Sequence, residues 1–143
     1  MRALLDTNVY SALMRGDDEV GKWVRRCERI HMSAVVVGEL LYGFRHGTRY
    51  VANRERLGAF LANPYVEFMP VTMTTCERYS LVAASLRRKG RPIPGNDIWI
   101  AAHALETGAD LLSFDGHYSA VDGLSVIPLR RSQTAGSVDG GDR

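Results

Sequence analysis

A chain of 143 residues, 45% apolar and 24% charged, is long enough to bury one sizeable core and too short to suggest two. Its net charge of +2 is too small to argue for a polyanionic partner by itself, and no uninterrupted apolar stretch approaches the ~20 residues that cross a bilayer, so no membrane association is expected. The opening MRALLDTN meets an aspartate after a few apolar residues and lacks the long apolar region of a secretory signal, which predicts a cytoplasmic protein. Cys27 and Cys76 stand far apart with no C-x-x-C pairing, the pattern of reduced structural thiols.

The segment RALL reads as a short buried strand, ended by Asp6-Thr7-Asn8 as turn and helix cap, with a helix over residues 9–15. A charged helical stretch leads to a second strand, RIHMS, whose Ser33 is placed to cap the helix carrying VVVGELLYGF, which fades near Gly47. Residues 50–62 form an amphipathic helix, 66–71 a third strand, and 74–89 a long helix ended by Gly90. RPIPGN must be loop, and Asn96 is the expected N-cap of the helix DIWIAAHALETG, closed by Gly108. ADLLSF is a fourth strand, GHYSAVDG a turn, and Ser125–Ile127 a last short strand. Residues 1–129 thus form one α/β domain, with a short, mainly parallel central sheet and helices on both faces. The polar, glycine-rich residues 130–143 are expected to be a disordered tail.

In such sheets the functional crevice lies beyond the carboxyl ends of the strands. Asp6 and Asp115 end strands and belong at that edge, whereas Asp110 opens the strand that Asp115 follows and belongs at the other. Glu39 is set within the apolar stripe of Val35, Val36, Leu40, Gly43 and Phe44, so its carboxylate faces inward and needs an arginine or lysine, a proton or a metal ion as partner. Asp97 falls in the first turn of a helix, where the dipole favours the ionised form. Each acid alone has a plain structural explanation: a cap for Asp6, a dipole partner for Asp97, a turn residue for Asp115, a salt bridge to Arg15 or Arg45 for Glu39. Were the four to converge, their repulsion would raise their proton affinities and a divalent cation would reverse this; oxygen-only ligands favour Mg²⁺ or Mn²⁺. His103 is expected to be packed or on the surface, and His117, two residues past Asp115, could approach a substrate but is read as structural. The basic residues Arg87, Arg88, Lys89 and Arg91, just before Asp97, either form a solvated helix end or contact the phosphates of a substrate.

The motifs LLDTN, GELLYG, NDIWIAAHA and SFD, in this order and at these separations, resemble those of PIN-domain ribonucleases, and specifically the VapC toxins of type II toxin-antitoxin pairs. The resemblance runs from residue 2 to about 128. It implies that Asp6, Glu39, Asp97 and Asp115 form a catalytic metal site, with Asn8 and Ser113 as supporting polar residues. The implied activity is Mg²⁺-dependent hydrolysis of RNA phosphodiester bonds by water, and the implied partners are a VapB-type antitoxin and a second copy in a homodimer. Two other readings compete. A phosphatase with an aspartate nucleophile after its first strand would need a second acid two residues on, where this chain has Asn8. A non-catalytic module keeping the fold for RNA or protein binding would have no reason to retain all four acids.

Overall fold

The computed structural model describes residues 1–131. The chain runs β1 (Arg2–Leu5), α1 (Thr7–Met14), α2 (Asp18–Arg25), β2 (Arg29–Ser33), α3 (Ala34–His46), α4 (Tyr50–Leu61), β3 (Val66–Met69), α5 (Met73–Lys89), α6 (Gly95–Thr107), β4 (Asp110–Ser113), a 3-10 helix over Gly116–Ala120, and β5 (Val126–Pro128). Apart from Arg130 and Arg131, the expected tail lies outside the described residues. The five strands form one sheet in the order β3-β2-β1-β4-β5, every neighbouring pair parallel.

An all-parallel sheet needs cover on both faces. Ala3, Leu4 and Leu5 are each fully buried, and because successive strand side chains point to opposite faces, helices must lie on both sides of β1. Leu4 pairs with His31 on one side and Leu111 on the other, at the centre of the core. The chain winds outward from β1 through β2 to β3, then returns to place β4 on the other side of β1. The order therefore reverses between β1 and β4, where open parallel sheets form their binding crevice. Asp6 and Asp115 follow these two strands.

The helix boundaries have local causes. The Ser33 hydroxyl accepts from the Val35 amide and starts α3 as expected, while Gly90 and Gly108 close α5 and α6 in the left-handed conformation that favours glycine. Three boundaries differ by two residues from those expected of the sequence. α1 begins at Thr7 instead of residue 9, because the Asp6 side chain itself caps the helix. β3 stops at Met69, since Pro70 has no amide to continue the ladder. The N-cap of α6 is Pro94, not Asn96: its carbonyl accepts from the amides of Asp97 (3.0 Å) and Ile98 (3.2 Å), starting the helix with no side-chain cap. Asp97 stays in the first turn.

His103 is fully buried on α6. Its Nε2 lies 3.1 Å from the Pro70 carbonyl and its Nδ1 2.7 Å from the Ser33 hydroxyl. A carbonyl only accepts, so Nε2 carries the proton and Nδ1 accepts from Ser33. His103 is thus a packing residue that ties α6 to the ends of β2 and β3. Cys27 and Cys76 are both free thiols. Asp110, at the start of β4, receives the Ser125 hydroxyl. Among the described residues no helix is long and apolar enough to cross a membrane.

His31 is buried on β2 with neither ring nitrogen hydrogen-bonded, and Glu67 is 3.8 Å from Nδ1. Burial lowers its proton affinity below the ordinary value, with Glu67 only partly opposing. The fold therefore favours neutral imidazole. Its contribution is complete above the unfolded-state pKa of about 6.5 and is lost as the pH falls through the lower folded value. Urea midpoints at pH 7.5 and 5.5 should differ less in His31→Leu than in the parent chain; an equal loss in both would remove His31 as a source of acid sensitivity.

Candidate metal centre

Asp6 is held from two sides. Its Oδ1 accepts from the Thr7 amide at 2.9 Å and its Oδ2 from the Ser113 hydroxyl at 2.8 Å, while its own amide donates to the Leu112 carbonyl at 3.1 Å. Ser113, fully buried at the end of β4, also receives the Asp115 amide at 3.0 Å. One hydroxyl thus sets both the Asp6 carboxylate and the backbone that presents Asp115. From α1 the Thr7 hydroxyl donates to Glu39 Oε1 at 2.9 Å, which fixes the inward-facing acid of α3 beside Asp6.

The other half of the site is joined by His117, in the 3-10 helix after β4. Its Nε2 contacts Asp97 Oδ2, its Nδ1 contacts Asp115 Oδ1, and its amide donates to Asp115 Oδ1. Asp97, Asp115 and His117 can offer one ligand atom each within 4.8 Å of one another.

The structure therefore brings Asp6, Glu39, Asp97 and Asp115 to one edge of the sheet, with Ser113 among them, but the group within ligand distance among the described residues is Asp97, Asp115 and His117, without Asp6 or Glu39. Asn8 is exposed on α1. Among the described residues none of the four acids is ion-paired with a lysine or arginine, and the Arg15 or Arg45 bridge to Glu39 is not formed. Arg45 instead donates to the Tyr50 hydroxyl. The electrostatics register the crowding. Burial above all pushes the Asp6 carboxyl above its usual range, the Ser113 and Thr7 hydrogen bonds pull it back, and the Asp97 and Glu39 charges push it up again.

Tyr118 adds a further sign. It is fully buried, and its hydroxyl has no hydrogen-bond partner of ordinary geometry. Burial raises its proton affinity most, and the charges of Asp6, Asp97 and Glu39 raise it further, Asp97 being the carboxylate its hydroxyl meets. Clustered hard oxygen donors, repelling one another and lacking a basic counter-charge apart from one imidazole, fit a divalent cation.

Of the basic residues before α6, Lys89 is committed to the Asp122 carboxylate and the Ala120 carbonyl, while Arg87, Arg88 and Arg91 are exposed. A groove of about 460 Å³ runs from Glu39 and Thr7 past Phe44 towards Asn53 and Arg56.

Thr7, His117 and Tyr118 went unassigned in the sequence. Thr7 stands inside LLDTN, where only the packing of α1 against α3 shows its reach to Glu39. His117 is two residues past a candidate acid, a spacing that becomes informative once the 3-10 turn swings its ring back to Asp97. Tyr118 reads as an ordinary aromatic until its orphaned hydroxyl is seen.

Residues 3–124 match the PIN domain family. The chain is 27% identical over 128 residues to Ribonuclease VapC4 of Mycobacterium tuberculosis, an alignment covering 90% of this chain and 97% of that protein. It is 30% identical over 114 residues to Ribonuclease VapC1 of Haemophilus influenzae, covering 77% and 84%. Among solved structures, VapBC-1 from nontypeable Haemophilus influenzae superimposes with a TM-score of 0.78 at 26% identity over 90% of this chain and 98% of its own. VapBC2 from Rickettsia felis, bound to a promoter DNA fragment, shares the fold with a TM-score of 0.81 at 24% identity over 91% and 100%. With its all-parallel sheet and its acids gathered at the switch between β1 and β4, the chain belongs to the PIN-domain family, among the VapC proteins.

Proposed function

We propose that this protein is a divalent-metal-dependent endoribonuclease, the toxin of a type II toxin-antitoxin pair. The observation that carries the reading is the continuous chain of interactions linking Glu39 to Thr7, Asp6 to Ser113, and Asp115 through His117 to Asp97. The ribonuclease names of its relatives supply the substrate class. Asp6, Asp97 and Asp115, with Glu39 beside them, would hold Mg²⁺ or Mn²⁺, which when bound activates water and stabilises charge developing on the phosphate.

The chain's own residues do the positioning. Ser113 fixes the Asp6 carboxylate by donating to Oδ2, and Thr7 does the same for Glu39, so neither acid spends freedom on finding its geometry. Arg87, Arg88 and Arg91 lie on the helix end and loop leading into α6, where they oppose the repulsion of an acidic site for a polyanion. Replacing these three by alanine should weaken RNA binding and flatten its salt dependence by about 0.7 in the log–log slope for each phosphate no longer neutralised. An unchanged slope would show that other residues hold the RNA backbone.

The reading carries partners with it: a VapB-type antitoxin, a second copy of the chain and a cytoplasmic setting. Two of the solved relatives are VapBC complexes, and the groove beginning at Glu39 gives an antitoxin segment a route to the acids. The decisive assay is incubation of the purified protein with total RNA, with and without Mg²⁺ or Mn²⁺, with the ends mapped by sequencing. Cleavage should require the metal and leave 5′-phosphate and 3′-hydroxyl ends. Products with 2′,3′-cyclic phosphate would contradict water as the nucleophile, and intact RNA under all metals would favour a non-catalytic binding module.

A further inference from the structure

The site contains one nitrogen donor that an oxygen-only centre does not need. His117 engages a carboxylate with each ring nitrogen, Asp97 through Nε2 and Asp115 through Nδ1. Such a clamp would by itself do no more than hold the 3-10 helix against α6. Tyr118 shows that more is built here. It follows His117 directly and is fully buried, and its hydroxyl lies beside Asp97 without a partner of ordinary geometry. Leaving a buried hydroxyl unsatisfied costs on the order of 1–3 kcal/mol. A buried hydroxyl set beside one of the two carboxylates that His117 engages marks a pocket arranged around more than that clamp.

We propose, building on the reading of this site as a metal centre, that His117 is itself a ligand. Together with Asp97 and Asp115 it forms a mixed nitrogen and oxygen site that prefers a first-row transition-metal dication to Mg²⁺. Mg²⁺ takes oxygen ligands and sheds water reluctantly, so an imidazole adds nothing to its binding. Transition-metal ions gain from the same nitrogen. The ring engages both carboxylates, and Mg²⁺, which gains nothing from its nitrogens, competes with it for their oxygens. A transition-metal ion instead takes the ring as one of its ligands. His117 therefore favours one class of cation and works against the other.

The test uses the full chain with Mn²⁺ as the probe. Pulsed electron paramagnetic resonance of the Mn²⁺-loaded protein should show ¹⁴N modulation from a directly bound imidazole, absent in His117→Asn. In that variant Mn²⁺ affinity should fall about tenfold or more, since even groups that only support metal ligands typically contribute that much. Mg²⁺ affinity, measured by competition, should stay the same or rise. Mn²⁺ bound without ¹⁴N modulation, or with modulation that survives in His117→Asn, would overturn the role of His117 and leave the carboxylate centre standing. Failure of the wild-type chain to bind Mn²⁺ at all would overturn both. Should His117→Asn not fold, as judged by circular dichroism, the wild-type spectrum alone decides.

Discussion

Asp6→Asn is expected to lower RNA cleavage by at least about 10²–10³-fold, the scale of losing several kcal/mol of electrostatic stabilisation in a transition state. The fold should survive. An asparagine at this position keeps an oxygen for the Thr7 amide, and its amide group can donate to the Ser113 hydroxyl that now donates to Asp6. It also removes one of several half-buried like charges, since Asp97 and Glu39 both act on Asp6. Thermal unfolding of the metal-free variant should therefore be no lower than that of the parent, which separates lost chemistry from lost structure. Asp97→Asn should behave alike. Undiminished cleavage by either variant would remove that residue from the centre.

The second large effect concerns stability. Leu4 is fully buried in the central strand between His31 and Leu111, where no neighbouring strand end can close over a void. Leu4→Ala should cost about 3–5 kcal/mol from lost transfer energy and the cavity left behind. Against a total of roughly 5–15 kcal/mol for a domain this is a large share, and the melting temperature should drop by about 10 °C or more. Cleavage per folded molecule, assayed well below the new midpoint, should change little, because Leu4 belongs to the apolar core inside β1 and carries no polar group to the site. A melting temperature within about 2 °C of the parent would mean that the strand repacks in a way this core does not suggest.

The placement of Asp6 and Asp115 was legible in the sequence because each ends a short apolar run, and in a parallel sheet a strand's end determines the edge at which the next residue appears. The same rule sends Asp110 to the opposite edge, where it meets Ser125. Glu39 was legible for a different reason, since a charge inside an apolar helical stripe demands a partner. What escaped was whatever depends on the path of irregular backbone. The start of α6 lies at Pro94 because a carbonyl can organise a first turn unaided, which side-chain preferences do not reveal. His117 reaches Asp97 only because residues 116–120 coil as a 3-10 helix. Its neighbour Tyr118 gives no sign in the sequence of a buried hydroxyl set beside Asp97 without a partner of ordinary geometry.

The most direct test of the centre is a crystal structure of the chain grown with Mn²⁺, with anomalous differences recorded at the manganese edge. A peak at the carboxylates of Asp97 and Asp115, on the side of Asp6, is the result predicted here. No peak at that position, with the acids instead neutralised by lysine or arginine side chains, would contradict it.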